Sequence, residues 1–254
     1  MARSRPKGLE CASVEKERTS ELPVFVRGKL SRPGVERMRR LFSAAYRLCC
    51  RVTIIGVERV PPGGVIISPN HLSRFDPPLI FISLPNRKAT VFNADTYRGR
   101  PFFRWVMEMN DVIWVNRETT SPSTMKHAVR VLREGSILGV APEGTRSKTG
   151  ALQEGKTGAA FLAYVSGVPI IPAAITNTDQ VARALMSLRR IPVTLTYGEP
   201  MYLGEAGQRA RPTAEQLEAA TTELMCRIAA MLPPRYRGVY ADHPRTHELL
   251  AQRS

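Results

Sequence analysis

The chain has 254 residues, 43 % of them hydrophobic, which is enough for one substantial core and excludes a wholly disordered protein. Its 37 Lys and Arg against 22 Asp and Glu give a formal charge of +15, so an anionic partner is expected: a membrane surface, a phosphorylated substrate or nucleic acid. The four cysteines, Cys11, Cys49, Cys50 and Cys226, show neither CxxC pairs nor framework spacing, which excludes a zinc ribbon or a disulfide scaffold and suits a reducing compartment.

Residues 1 to about 33 mix charge, Pro and Gly and read as a flexible lead, with Leu22 to Val26 as a short packed piece. From 34 to 50 the period is helical. Met38, Leu41, Phe42, Ala45, Leu48 and Cys49 share one face, and Arg39, Arg40 and Arg47 share the other. The pattern serves equally a helix lying in a membrane interface and a helix packed on a core with a solvated basic face. Arg51 to Gly56 reads as a strand, and Pro61-Pro62-Gly63-Gly64 as a turn. The apolar run Val65-Ile66-Ile67 is a buried strand that leads into Pro69-Asn70-His71-Leu72-Ser73-Arg74-Phe75-Asp76. Pro77-Pro78 suit the first turn of a helix through Leu79 to Ile82.

Further strands are expected over Ala89 to Phe92, Val112 to Val115, Ile137 to Val140, Val168 to Ile175 and Val193 to Tyr197. Helices are expected over Pro101 to Met109, from Ser121-Pro122 to about Arg133, and over Lys156 to Val165. Thr213-Ala214-Glu215-Gln216 is a capping box that opens a helix to about Leu232. From Pro233 onward Pro, Arg and Tyr dominate, and the reading is a surface-hugging or loose tail. The expected class is therefore α/β: a mixed, mostly parallel sheet flanked by helices, with an N-terminal amphipathic helix. The units are the lead 1–33, the amphipathic helix 34–50, the α/β domain 51–232 and the tail 233–254. No apolar run reaches the roughly 18 residues of a spanning helix, and residues 1–20 lack the apolar core of a signal peptide. A cytoplasmic protein that can lie on a membrane without spanning it is expected.

Polar clusters follow three of these strands, and strand ends are where α/β proteins gather ligands. After the first come His71 and Asp76. An imidazole accepts protons near neutral pH, and a carboxylate on its other nitrogen fixes the tautomer and stabilises the imidazolium. After the second come Asn116 and Arg117, and after the third Pro142-Glu143-Gly144-Thr145-Arg146-Ser147. Asn-His-x-Ser-x-x-Asp followed by Pro-Glu-Gly-Thr-Arg-Ser resembles the glycerophospholipid acyltransferase family of the lysophosphatidate type. Val168-Pro169-Ile170-Ile171-Pro172-Ala173 is similar to that family's last motif, and the resemblance runs from about Arg51 to Pro200.

The resemblance implies transfer of a fatty acyl group from acyl-CoA or acyl carrier protein to the hydroxyl of a lysophospholipid, chiefly 1-acyl-glycerol-3-phosphate. His71 is then the general base and Asp76 its orienting partner. Arg117, Glu143, Gly144, Thr145 and Arg146 form the acceptor's binding set, with the arginines on its phosphate and Glu143 positioning Arg146 or meeting an acceptor hydroxyl. No metal or other cofactor is implied, the partners being the two substrates and an anionic membrane surface rather than nucleic acid. The middle motif is matched in part: Asp95, Asp111 and Asn116 stand where many members of the family carry Lys, Gly and Asp, and Arg98 or Arg100 are candidate replacement cations.

A competing pattern is Gly150-Ala151-Leu152-Gln153-Glu154-Gly155-Lys156-Thr157, which fits G-x-x-x-x-G-K-[ST] of phosphate loops. A strand should run directly into its first Gly, yet Pro142 to Thr149 is polar, and Glu154 puts a carboxylate among amides meant for phosphate. A third reading is a catalytically inactive basic membrane-binding protein. No G-x-S-x-G elbow is present, and His71, His127, His243 and His247 make no metal-ligand set.

Overall fold

The computed structural model describes residues 33–85, 87–94, 113–115, 121–187, 189–204 and 211–252. The lead, the expected helix over Pro101 to Met109, and Asp95, Arg98, Arg100, Asp111, Asn116 and Arg117 lie outside the described residues. The chain begins with α1 (Pro33–Cys49) and β1 (Cys50–Ile55), followed by β2 (Val65–Pro69), α2 (Asp76–Ser83), β3 (Ala89–Ala94) and β4 (Ile113–Val115). It continues through α3 (Pro122–Arg133), β5 (Ile137–Gly139), α4 (Gly158–Ser166), β6 (Ile170–Thr176), α5 (Val181–Ser187) and β7 (Ile191–Tyr197). The helices α6 (Ala214–Met231) and α7 (Pro244–Ala251) follow, separated by two short 3₁₀ turns.

The strands form one sheet in the order β1-β7-β6-β2-β5-β3-β4. Only β6 with β7 is antiparallel among the described pairs. Mixed, mostly parallel pairing with helices on both faces is the expected architecture. All five residues of β2 are buried because both faces of the sheet are covered, which is why its apolar run does not alternate with polar residues. The pleat then sends neighbours to opposite cores. Ile66, Leu138 and Ile170 pack with Leu132 of α3, Leu162 of α4 and Leu224 and Ile228 of α6. Val65, Ile67, Ile137 and Ile171 pack with Tyr46 of α1, Leu79 of α2 and Val181 of α5.

Local signals set the helix ends. The Ser121 side chain accepts from the Thr124 N–H, and both halves of the Thr213–Gln216 capping box are made. Three features depart from expectation. First, α1 buries Val35, Met38, Arg39, Tyr46 and Cys49, while Leu41 and Leu48 are 68 % and 76 % exposed. Arg39 turns inward because it has partners there: its Nε reaches Glu36 at 3.1 Å, its Nη2 donates to the Arg87 carbonyl at 3.1 Å, and its guanidinium lies 4.0 Å from the centre of the Phe81 ring. Second, α5 had no clear periodic signal. Third, the segment after Pro233 is ordered. Pro244 opens α7 at its first turn, where the missing N–H costs nothing, and His243 caps it by accepting from the Arg245 N–H. Among the described residues, no helix is long and apolar enough to cross a membrane.

Candidate active site

Three neighbouring parallel strands, β6, β2 and β5, end at the same edge of the sheet. The segments that leave them carry Thr178, His71 and Glu143. Asn70 joins two of these ends. Its buried amide donates to the Ile175 carbonyl at 3.0 Å and accepts from the Ile175 N–H at 2.7 Å, so the chain leaves β2 fixed against β6.

The loop from His71 to Asp76 then closes on a carboxylate. Asp76, 1 % exposed, accepts at Oδ2 from the N–H groups of Leu72 and Ser73, both at 2.8 Å, and from His71 Nδ1 at 2.7 Å. Its Oδ1 accepts from the Thr178 hydroxyl. Ser73 serves the turn: its hydroxyl accepts from the Phe75 N–H and donates to the Thr178 carbonyl. A carboxylate only accepts, so Nδ1 of His71 carries a hydrogen, and in the neutral imidazole the lone pair is then on Nε2. The His71 side chain is 19 % exposed, against 2 % for that of Asp76.

The second loop is stitched to the first. The His71 N–H donates to Glu143 Oε1 at 2.9 Å, and the Ser147 N–H donates to the His71 carbonyl at 2.8 Å. Glu143 is 2 % exposed, and its Oε2 accepts from the Gln153 N–H at 3.1 Å. Burial pushes its carboxyl pKa up from the ordinary value, opposed by the N–H groups of His71 and Gln153. The sequence offered Glu143 to Arg146 or to an acceptor hydroxyl; in the structure its Oε1 meets the His71 N–H and its Oε2 the Gln153 N–H. Gly144 has φ +70° and Thr145 is exposed, with half-buried Arg146 next in line. A Cβ at Gly144 would meet the Lys156 side chain at 3.0 Å, so the glycine lets that ammonium lie across the loop. Lys156 was singled out only for the phosphate-loop pattern; its place is beside Gly144.

That pattern does not fold as a phosphate loop. β5 ends at Gly139, far before Gly150. The backbone N–H groups that would cradle phosphate already have partners: Leu152 on the Tyr236 carbonyl, Gln153 on Glu143, Gly155 on the Tyr240 hydroxyl and Lys156 on the Pro142 carbonyl. A cavity of about 750 Å³ between α3 and α4 is lined by residues including Met125, Arg130, Phe161 and Val165, and by none of the candidate site residues named from the sequence. Among the described residues no cluster of His, Cys, Asp or Glu forms a metal site.

Residues 51–176 match the family model described as Acyltransferase, a span that holds every residue of the His71 and Glu143 loops. This region is an acyltransferase-family domain. The chain is 32 % identical over 132 residues to the 1-acyl-sn-glycerol-3-phosphate acyltransferase of Borreliella burgdorferi, covering 51 % of this chain and 52 % of that protein. The enzyme of the same name from Limnanthes douglasii is 40 % identical over 154 residues, 59 % of this chain and 54 % of that protein. The chain spans about half the length of the curated relatives it matches. The crystal structure of the 1-acyl-sn-glycerophosphate (LPA) acyltransferase from Thermotoga maritima shares its fold, with a TM-score of 0.60, 23 % identity, and 75 % and 76 % of the two chains covered.

Proposed function

We propose that the protein moves a fatty acyl group from an acyl thioester, acyl-CoA or acyl carrier protein, to the free hydroxyl of a lysophospholipid, with 1-acyl-glycerol-3-phosphate as acceptor and phosphatidate as product. The observation that carries this reading is the His71–Asp76 pair at the edge of the sheet, with Nε2 as the available base. The names of the relatives support the acceptor.

In this reading Nε2 of His71 takes the hydroxyl proton as the acceptor oxygen attacks the thioester carbonyl. The tetrahedral intermediate collapses, the C–S bond breaks, and the departing sulfur receives the proton back from the imidazolium. An ester and a free thiol result, and the proton count closes without an acyl-enzyme. The thioester supplies the leaving group, so the reaction as written draws on no further cofactor. Asp76 keeps Nδ1–H directed and offsets the transient positive charge. Arg146 and Lys156 bring cationic groups to the Gly144 turn, where the acceptor phosphate would sit. Arg117, outside the described residues, remains a candidate for the same phosphate.

The acceptor is an amphiphile, so the anionic partner of this basic chain is, on this reading, a membrane surface on its cytoplasmic face rather than nucleic acid. The outward side of α1 supports this, with Leu41 and Leu48 exposed among the exposed Arg37, Arg40 and Arg47.

The test is a panel of lysolipid acceptors offered with labelled acyl-CoA and labelled acyl carrier protein. Wild-type protein should label phosphatidate. His71→Ala should lower turnover by about 10²- to 10⁴-fold with the fold intact by circular dichroism. Arg146→Ala should chiefly raise the acceptor KM, by roughly tenfold for one lost charged contact. Absence of transfer to every lysolipid from either donor, with vesicle binding retained, would favour the inactive membrane-binding protein; wild-type turnover in His71→Ala would remove His71 from the mechanism.

A further inference from the structure

Tyr236 lies outside the matched domain, yet it bonds both to the Asn177 turn that follows β6 and to Leu152, downstream of the Glu143 loop. Its ring is 5 % exposed and belongs to the core under α3, α4 and α6. Its hydroxyl accepts from the Asn177 N–H at 3.2 Å and donates to Asn177 Oδ1 at 3.0 Å. Asn177 has φ +63° and is the one non-glycine residue with positive φ among the described residues, a conformation Asn adopts more readily than other non-glycine residues, and its bonds to Tyr236 add to the hold on this turn. The next residue, Thr178, is fully buried and donates to Asp76, which holds His71. On the other side, the Tyr236 carbonyl accepts from the Leu152 N–H at 2.9 Å. Gln153 follows and donates to Glu143, which accepts from the His71 N–H. The segment is seated closely: a Cβ at Gly238 would lie 2.0 Å from the Leu152 carbonyl oxygen, and Tyr240 accepts from the Gly155 N–H at 3.1 Å.

We infer that Tyr236 is a positioning residue for acyl transfer, the point at which the C-terminal segment straps the Asn177–Thr178 turn and the Leu152–Lys156 loop together and thereby sets the His71–Asp76 geometry. It acts through Thr178 and Asp76 and touches no substrate. The inference rests on the acyl-transfer reading for its kinetic consequence, but not for its structural one. A pair misaligned by a fraction of an ångström reacts more slowly while the substrates still bind.

Tyr236→Phe removes one oxygen and keeps the ring in the core. It should lower kcat by about three- to tenfold, the equivalent of one net hydrogen bond, with donor and acceptor KM within about twofold. Asn177→Gly keeps the turn, since glycine takes positive φ freely, but removes the side-chain acceptor; it should act in the same direction. The double variant should be little worse than the more impaired single one, because both cut one path. A readout free of turnover is the low-field proton resonance of His71 Nδ1–H, assigned by its loss in His71→Ala. It should be present in wild type and broadened by faster exchange in Tyr236→Phe. A wild-type protein with no such protected proton, an unchanged resonance and kcat in both single variants, or a loss of kcat matched by an equal rise in KM, would overturn the assignment. If the wild type transfers no acyl group while the resonance still responds to Tyr236→Phe, the acyl-transfer reading fails and the strap stands.

Discussion

The segments that flank the matched domain both hold its His71–Asp76 loop, but they treat their outer surfaces in opposite ways. On the N-terminal side, α1 fixes the loop through the Tyr46 hydroxyl, which donates to the Phe75 carbonyl beside Asp76. Its outward face keeps Leu41 and Leu48 exposed, and α5, which packs on α1, adds Met186 at 82 % exposure. On the C-terminal side, α6 and α7 pair a cluster of charges across their contact. Glu223 accepts from Arg227 and Arg245, each at 2.7 Å, and Arg245 also reaches Glu248 at 2.9 Å. A surface that closes its ion pairs among its own residues is finished in water. A surface that sets apolar tips among arginines is shaped for something both greasy and anionic. The same grip on the loop is thus delivered from the face that the proposed reading turns to a bilayer and from a face with its own ion pairs.

The largest expected effect in this contrast is on membrane partition. Leu41→Ser and Leu48→Ser should each weaken binding to vesicles of phosphatidylglycerol and phosphatidylcholine by about tenfold, the scale of one leucine side chain partly withdrawn from water. Arg40→Gln should weaken it about fivefold at low ionic strength, at about 1 kcal/mol per basic residue near an anionic surface, and less in added salt. Sedimentation with sucrose-loaded vesicles measures both. Unchanged partition in the doubly substituted Leu41/Leu48 protein would erase the distinction between the two faces.

The sequence made one half of this contrast legible and obscured the other. Helical period marked Leu41 and Leu48 as apolar-face residues, but period does not say which stripe has a partner. The stripe that packs includes Arg39, because Glu36, the Arg87 carbonyl and the Phe81 ring are waiting there, and two of those partners are remote in sequence. The His71–Asp76 and Glu143–Arg146 strings could be read because a strand end and its turn are local. The reach of Glu143 to the His71 N–H, and of Tyr236 to Asn177, could not, since nothing local announces a bond across 72 or 59 positions. Thr178 was closer to view: it follows a strand neighbouring the one that carries His71, and strand ends were already the guide. The helix in the tail was hidden for a different reason: a proline such as Pro244 breaks a helix interior but opens a helix at its first turn.

The C-terminal face offers the smaller test, in acid. Hydrogen bonds from Arg245 hold the Glu223 carboxyl down to about 2 from an ordinary value of 4.5, with burial opposing and Arg227 assisting. A carboxyl whose folded pKa is depressed releases its proton more readily in the native state, so the unfolded chain binds more protons between those two values. Its contribution to stability is therefore complete above pH 4.5 and disappears as the pH falls through about 2. Because the Glu223 side chain is 25 % exposed and those of Arg227 and Arg245 are 31 % and 33 % exposed, solvent screening holds that contribution to about 1 kcal/mol. Glu223→Gln should accordingly lower Tm by about 2–4 °C at pH 6, and the gap to wild type should narrow between pH 4.5 and 2. Added salt at pH 6 should narrow it as well, since exposed pairs are screened. A gap that persists unchanged to pH 2 would mean that Glu223 acts through packing on α6 rather than through its charge. The C-terminal face would then owe its closure to shape alone.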